Sequence, residues 1–245
     1  MRLRQTEKHW DKFARTDPLW AVLTDPDKKG NQWQLDEFFA TGVKVIDDEL
    51  AMVRAHHPTL RPRAALDFGC GVGRLTQALA RHFDRVTGVD ISVEMIGHAQ
   101  RHNRHGERVR YVHNSAEDLR VFADGEFDFV YSLITLQHME PAYARRYIAE
   151  FVRITAPGGA ILFQLPAVAA EKRRPFTLWP DTLLKRAYRD LKRALSPEPR
   201  MEMHAIPREE VETLLAAAGA RVLRSYRYDA AGAELPSWGY LAVKP

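Results

Sequence analysis

The chain predicts a doubly wound α/β fold built on one mostly parallel sheet. Three observations carry this. From about Arg63 onward, short β-type runs alternate with segments of helical spacing. A glycine-rich turn follows the first of these runs and opens a helix. The last two runs are joined by a loop too short for a helix. Strands separated by helices imply right-handed crossovers between parallel neighbours, while the final pair reads as an edge hairpin with one antiparallel strand.

Seven strands are expected. Ala64–Phe68 leads into the helix Arg74–His82, and Arg85–Val89 into the helix Ser92–Arg104. Val109–His113 and Phe127–Leu133 follow; helix Pro141–Ile154 then passes through Ala156-Pro157-Gly158-Gly159 to the strand Ala160–Gln164. Helix Arg208–Ala218 stops at Gly219, where a left-handed residue can end it. Arg221–Arg227 and Tyr240–Val243 close the sheet. Two segments lie outside the alternation. Residues 1–40 carry Trp10, Trp20 and Trp33, three of the five tryptophans. Residues 166–207 bring prolines and a basic helix that begins at Pro180-Asp181 and ends at Ser196-Pro197. The expectation is a single domain over 1–245. It has a helical cap (1–40), a core (41–165), an insertion (166–207) covering the acceptor side, and a last helix with the terminal hairpin (208–245).

The 245 residues are 45% hydrophobic and 28% charged, an ordinary globular balance that excludes a disordered chain. Lys plus Arg is 36 against 32 for Asp plus Glu, a net charge of +4. That permits a nucleic-acid or membrane partner without requiring one. The single cysteine, Cys70, excludes an intramolecular disulfide framework, a CxxC redox pair and a multi-cysteine zinc site. The N-terminus has no apolar core of a secretory signal, and the longest nearly apolar stretch, Gly159–Ala170, is interrupted by Gln164 and Pro166. A soluble, cytoplasmic protein with no membrane span is expected.

The strongest local signal is Leu66-Asp67-Phe68-Gly69-Cys70-Gly71-Val72-Gly73-Arg74, at the strand end where doubly wound sheets bind nucleotides. A dinucleotide loop reads G-x-G-x-x-G and would need glycine where Arg74 stands. Here the pattern is D-x-G-x-G-x-G. Asp67 would repel a pyrophosphate and attract an ammonium group. Asp90 ends the second strand, where an acid accepts both hydroxyls of a ribose. Asn114-Ser115-Ala116-Glu117-Asp118-Leu119 follows the third strand and can read an adenine edge. Taken singly, each motif has a plain structural reading: a tight turn, or an acid capping the next helix.

Together, LDFGCGVGRLT, GVDIS, NSAEDL, FDFVYSLITLQHM and the APGG turn resemble the class I S-adenosylmethionine-dependent methyltransferases, in particular the small-molecule type. The resemblance spans Arg63–Gln164 and, more weakly, the terminal hairpin. It implies a Rossmann-like fold that binds S-adenosyl-L-methionine and releases S-adenosyl-L-homocysteine. Asp67, Gly69, Gly71 and Gly73 would surround the methionine part, with Arg74 on its carboxylate or in solvent. Asp90 would hold the ribose. Ile91 and Met95 would pack on the adenine beside Ala116 and Glu117, and Ser115 stands where many relatives have Asp. Ser132 and Leu133 would line the methyl end.

Several subclasses are disfavoured. Amino-group methyltransferases acting on bases carry Asn/Asp-Pro-Pro-aromatic after the fourth strand, where this chain has Tyr131-Ser132-Leu133-Ile134. Cytosine C5 and arsenic methylation need cysteines outside the loop. A sulfonium methyl is already electrophilic, so proximity and alignment supply much of the catalysis. A general base is required only for a protonated nucleophile such as an alcohol or phenol. His138 is the candidate base, with the alternative that it orders its loop or touches the cofactor. Trp10 is the candidate aromatic lid over the sulfonium; Phe13 and Trp20 are expected to pack the first helices. The expected reaction is methyl transfer to a small-molecule oxygen, nitrogen or carbon nucleophile by a monomer or homodimer, a nucleic-acid partner being disfavoured. Two alternatives stand beside it: an RNA or protein methyltransferase docking through basic surface, and a non-catalytic cofactor-binding partner subunit.

Overall fold

The computed structural model describes residues 3–167, 199–228 and 236–245. The helix expected at Pro180–Ser196, and most of the 166–207 insertion, lie outside the described residues. Seven strands form one sheet: β1 (Ala64–Phe68), β2 (Arg85–Asp90), β3 (Val109–His113), β4 (Phe127–Ser132), β5 (Thr155–Pro166), β6 (Arg221–Arg227) and β7 (Ser237–Val243). Their order is β3-β2-β1-β4-β5-β7-β6, and β7 alone among them runs antiparallel. β1 and β4 are parallel neighbours, and the order of winding reverses between them, the switch point at which doubly wound sheets open a crevice.

The helices are α1 (Leu3–Thr16), α2 (Pro18–Val22), α3 (Leu35–His56), α4 (Arg74–Leu79), α5 (Val93–Arg101), α6 (Pro141–Ile154) and α7 (Arg208–Ala217). α5 begins at Val93 because the Ser92 hydroxyl accepts from Met95 N and caps the first turn. α4 is shorter than its sequence pattern. Its last turn tightens, with Arg81 N donating to Ala78 O and His82 N to Leu79 O. Gly219, at φ +93°, ends α7 as its position suggested.

One connection follows its sequence pattern and another differs from it. No helix joins β3 to β4. Leu119 and Phe122 are instead buried in the core, and Arg153 of α6 donates to both their carbonyls. The APGG turn is a bulge inside β5, not a loop before it. Pairing with β4 shifts between Phe127↔Thr155 and Phe129↔Ala160, while Gly158 N donates to Lys244 O and Lys244 N to Gly159 O.

Both faces of the sheet are covered. α6 and α7 pack on one face through Phe68, Tyr147, Phe151 and Phe163. α3 and α4 pack on the other through Ile46, Leu50, Leu79 and Phe129. A Cβ on Gly42 would lie 2.6 Å from Arg74 O, so this glycine lets α3 cross α4 at close range. α3 therefore belongs to the core layer, and the expected cap boundary at residue 40 falls inside it. The cap packs separately on Val72 and Met95 through Ala14, Ala21, Trp33, Phe38 and Phe39. Trp10, Phe13 and Trp20 are half-buried against this cluster.

Candidate active site

The glycine loop is bound to the end of β2. Gly69 N and Cys70 N donate to Val89 O, and Gly71 N donates to the Asp90 carboxylate at 2.9 Å. The other Asp90 oxygen accepts from Ser92 N at 2.8 Å. Burial raises the Asp90 pKa, opposed by these backbone hydrogen bonds. Gly69 has φ +77°, and a Cβ there would stand 2.2 Å from Thr135 Cγ2. Only glycine allows the loop after β1 to meet the loop after β4 this closely.

The two loops, α1 and α2 enclose a cleft of about 970 Å³, open mouth included. Among the expected site residues, Trp10, Gly69, Gly71 and Arg74 form part of its wall, together with Asp90, Ile91, Leu133 and His138. Asp67 does not line it. Its carboxyl is 1% exposed beneath the loop and accepts the Thr76 hydroxyl at 2.6 Å. Burial pushes its pKa up to about 6, against the pull of Thr76 and Arg74. Gly73 and Met95 also sit behind the wall; Met95 is fully buried against the cap cluster. Ser132 turns away from the cleft and donates to Phe68 O at 3.0 Å.

On the β3 side, Ser115, Ala116 and Glu117 are exposed, outside the cleft wall. Glu117 pairs with Arg146, and Ala116 O accepts from the Tyr147 hydroxyl. Asn114 is the residue of this segment that reaches the wall. The sequence marked the segment, but its spacing does not say which side chain turns inward.

Arg74 is 4% exposed and lies over the Phe38 ring, 6.0 Å from its centroid. Its Nη1 donates to Thr41 Oγ1 at 3.2 Å, while Nε has no hydrogen-bond partner among the described residues. Burial lowers its pKa, yet an arginine keeps its charge in proteins. A buried cation with an unused donor on a cleft wall is ready for an anion.

Opposite, the short 3-10 turn Leu136–His138 carries His138, 7% exposed. Its Nδ1 lies 2.7 Å from Glu202 O, and the Trp10 ring meets it edge-on with centroids 5.4 Å apart. Desolvation lowers the His138 pKa, so the ring is neutral near pH 7. Ile134 and Thr135 complete this wall, and Ile134 takes φ +55°, a strained value for a β-branched residue. No spacing in the sequence predicts that turn. A signal for its support did exist: Gln164, a polar residue interrupting an apolar strand. Among the described residues no His, Cys, Asp and Glu side chains group as a metal site.

Parallel strands, a switch-point crevice and this glycine loop define a Rossmann-like fold of the methyltransferase class. Residues 65–159 match the family described as Methyltransferase domain, so this stretch of the chain is a methyltransferase domain. A ubiquinone biosynthesis O-methyltransferase of Methylococcus capsulatus is 39% identical over 109 residues, 44% of this chain and 45% of that protein. The match thus spans less than half the length of that curated relative. The magnesium protoporphyrin IX methyltransferase of Synechocystis, solved with S-adenosylhomocysteine, superposes over 100% of both chains at TM-score 0.66 and 19% identity. A Leishmania major S-adenosylmethionine-dependent methyltransferase covers 97% of this chain and 82% of its own at TM-score 0.64 and 15% identity. These two likenesses concern the fold.

Proposed function

We propose that the protein transfers a methyl group from S-adenosylmethionine to a small-molecule nucleophile held in the same cleft. The carrying observation is that Arg74, a buried cation whose Nε has no partner among the described residues, and the Asp90-anchored glycine loop belong to one cleft wall. The residues fit that cofactor in chemistry: an anion-seeking guanidinium for its carboxylate, an acid at the ribose position, and glycines that bring backbone close to its methionine part. When bound, it supplies a sulfonium methyl that is already electrophilic.

In this reading Arg74 binds the carboxylate, Asp90 accepts from the ribose hydroxyls, and Ile91 and Asn114 border the adenine. Gly69, Gly71 and Gly73 shape the cradle. Asp67 acts from behind the loop through its field and through Thr76. Met95 supports the adenine side from below, and Ser115, Ala116 and Glu117 stand at its rim. Ser132 fixes the β4 end on which Leu133 meets the methyl end. Trp10 roofs the cleft and shields it from water, which favours alignment of the reacting groups. His138 takes the proton of a hydroxyl acceptor at Nε2, the ring nitrogen not used by Glu202.

A basic docking surface for RNA or protein finds less support. In the Arg101–Arg110 stretch, Arg104 pairs with Asp36, Arg108 donates to Ala80 O and Phe83 O, and Arg110 pairs with Glu126. The basic run Lys172–Arg193 lies outside the described residues. Among those residues no helix is long and apolar enough to cross a membrane. Cytoplasmic residence and a monomer or homodimer belong to the same proposal. Titration calorimetry tests it: S-adenosylmethionine and S-adenosylhomocysteine should bind and NAD should not. A labelled-methyl screen over metabolite fractions and RNA then identifies the acceptor. Failure to bind either sulfur ligand would overturn the reading.

A further inference from the structure

A chain of side-chain amides runs behind the acceptor-side wall of the cleft. Ile134 N donates to Gln164 Oε1 at 3.1 Å. Gln164 Nε2 donates to Gln137 Oε1 at 3.2 Å and also to Ser237 Oγ. Gln137 Nε2 faces His138 Nε2 and the Met203 sulfur, each at 3.5 Å. His138 Nδ1 meets Glu202 O at 2.7 Å. Gln164, Gln137 and His138 are all buried.

The two ends of this chain are backbone groups whose roles cannot change. A peptide N–H only donates, and a peptide carbonyl only accepts. At the first end, Ile134 N–H requires the oxygen of Gln164 and so aims its NH2 at Gln137. Gln137 must then present its oxygen to Gln164 and its NH2 to His138. At the far end, Glu202 C=O requires a proton on Nδ1. Both constraints leave Nε2 as an acceptor. The orientation of each amide follows from the network as a whole.

We propose that Gln164 and Gln137 form a one-way amide relay, anchored on Ile134 N–H and Glu202 C=O, that holds His138 in its Nδ1–H form with the Nε2 lone pair available. Both glutamines are positioning residues. The contact at Nε2 is long, so a substrate hydroxyl can replace it; the bond at Nδ1 is short and holds the ring. The relay also ties the strained Ile134 turn on the cleft wall to the imidazole. A proton arriving at Nε2 turns that atom from acceptor to donor and opposes the Gln137 NH2. The other polar groups around the ring come from the 200–206 segment and from α1. Glu202 and His204 pair at 3.1 Å, and His9 accepts from Arg200 N. Trp10 presents only its ring to His138. Of these, His204 and burial oppose charge on His138.

The usefulness of this tautomer rests on the methyl-transfer reading; its existence does not. The test is ¹⁵N NMR of the histidine ring nitrogens in the full chain without cofactor, with His138→Ala used to assign the signals. The wild type should show the Nδ1–H form. Gln137→Glu is nearly isosteric and offers only acceptors, so with Nδ1–H still held by Glu202 C=O the ring should take a second proton at Nε2, and the His138 pKa should rise by about one unit or more. Gln164→Leu removes the link to Ile134 and should give a mixture of tautomers. An Nε2–H ring in the wild type, or an unraised His138 pKa in Gln137→Glu, overturns the relay. Should Gln164→Leu fail to fold, Gln137→Glu alone decides. Absence of methyl transfer in a separate assay would leave the tautomer result standing.

Discussion

The carboxylate of Asp90 and the N–H of Gly71 are hydrogen-bonded at 2.9 Å, so the acid at the end of β2 and the glycine loop after β1 form one unit. The same carboxylate holds Ser92 N at 2.8 Å and thereby the start of α5. Asp90→Ala should therefore act twice. Loss of two charge-assisted hydrogen bonds should destabilise the fold by about 2–4 kcal/mol, read by denaturant titration. S-adenosylhomocysteine affinity should fall by at least about tenfold, read by calorimetry. A variant with wild-type affinity would remove Asp90 from the site.

Arg74 should show the opposite coupling. A buried guanidinium with an unused Nε costs the ligand-free protein desolvation that Arg74→Met relieves. The variant should melt at the same temperature as the wild type or higher. Its affinity for the cofactor should drop by about 10–100-fold, the loss of one charged hydrogen-bonded contact. A drop in both stability and affinity would instead make Arg74 a packing residue.

Asp67 links stability to pH. Its folded pKa, about 6, lies above the ordinary 3.8. The folded state therefore holds this proton more tightly, and the stability it contributes is complete below pH 3.8 and lost as pH rises through about 6. Asp67→Asn, which keeps an acceptor for Thr76, should gain up to about 3 kcal/mol at pH 8 relative to its effect at pH 3.5. Paired melts at the two pH values check this. Equal effects at both would mean the carboxyl is not desolvated as the fold implies.

His138 titrates in the other direction. Its folded pKa lies below the ordinary 6.5, so the stability it contributes is present above that value and lost as pH falls through the folded pKa. If Nε2 receives the acceptor proton, the turnover rate falls on the acid side with a midpoint below 6.5. His138→Ala then costs about 10²–10⁴-fold in turnover with cofactor affinity kept. Unchanged turnover would leave His138 as a loop-ordering residue only.

Much of the fold was legible in the sequence, and particular residues show why. Val109–His113, Pro141–Ile154 and Arg221–Arg227 have the expected bounds because each combines clear periodicity with a local stop. The APGG segment misled because its glycines signal a turn, whereas Lys244 on the neighbouring strand continues the pairing through it. In the site, the loop glycines and Asp90 were readable because a strand–turn–helix unit is local. Ser132 and Leu133 were not separable. Adjacent residues at a strand end point to opposite sides, and only the packed sheet decides which side holds the cleft.

The sequence by itself determined the sheet, its antiparallel hairpin, the glycine loop and the acid that ends β2. These rest on periodicity and turn chemistry within about thirty residues. Only the tertiary structure decided that Asp67 sits behind the wall, that Arg74 keeps a donor unused, and that Gln164, Gln137 and Glu202 surround His138. Gln164 lies 27 positions from Gln137, and Glu202 lies 64 positions from His138. Their meeting depends on how α6, β5 and the 199–206 segment pack. A buried polar group must satisfy its hydrogen bonds with whatever packing brings near, and no local pattern encodes which group that is.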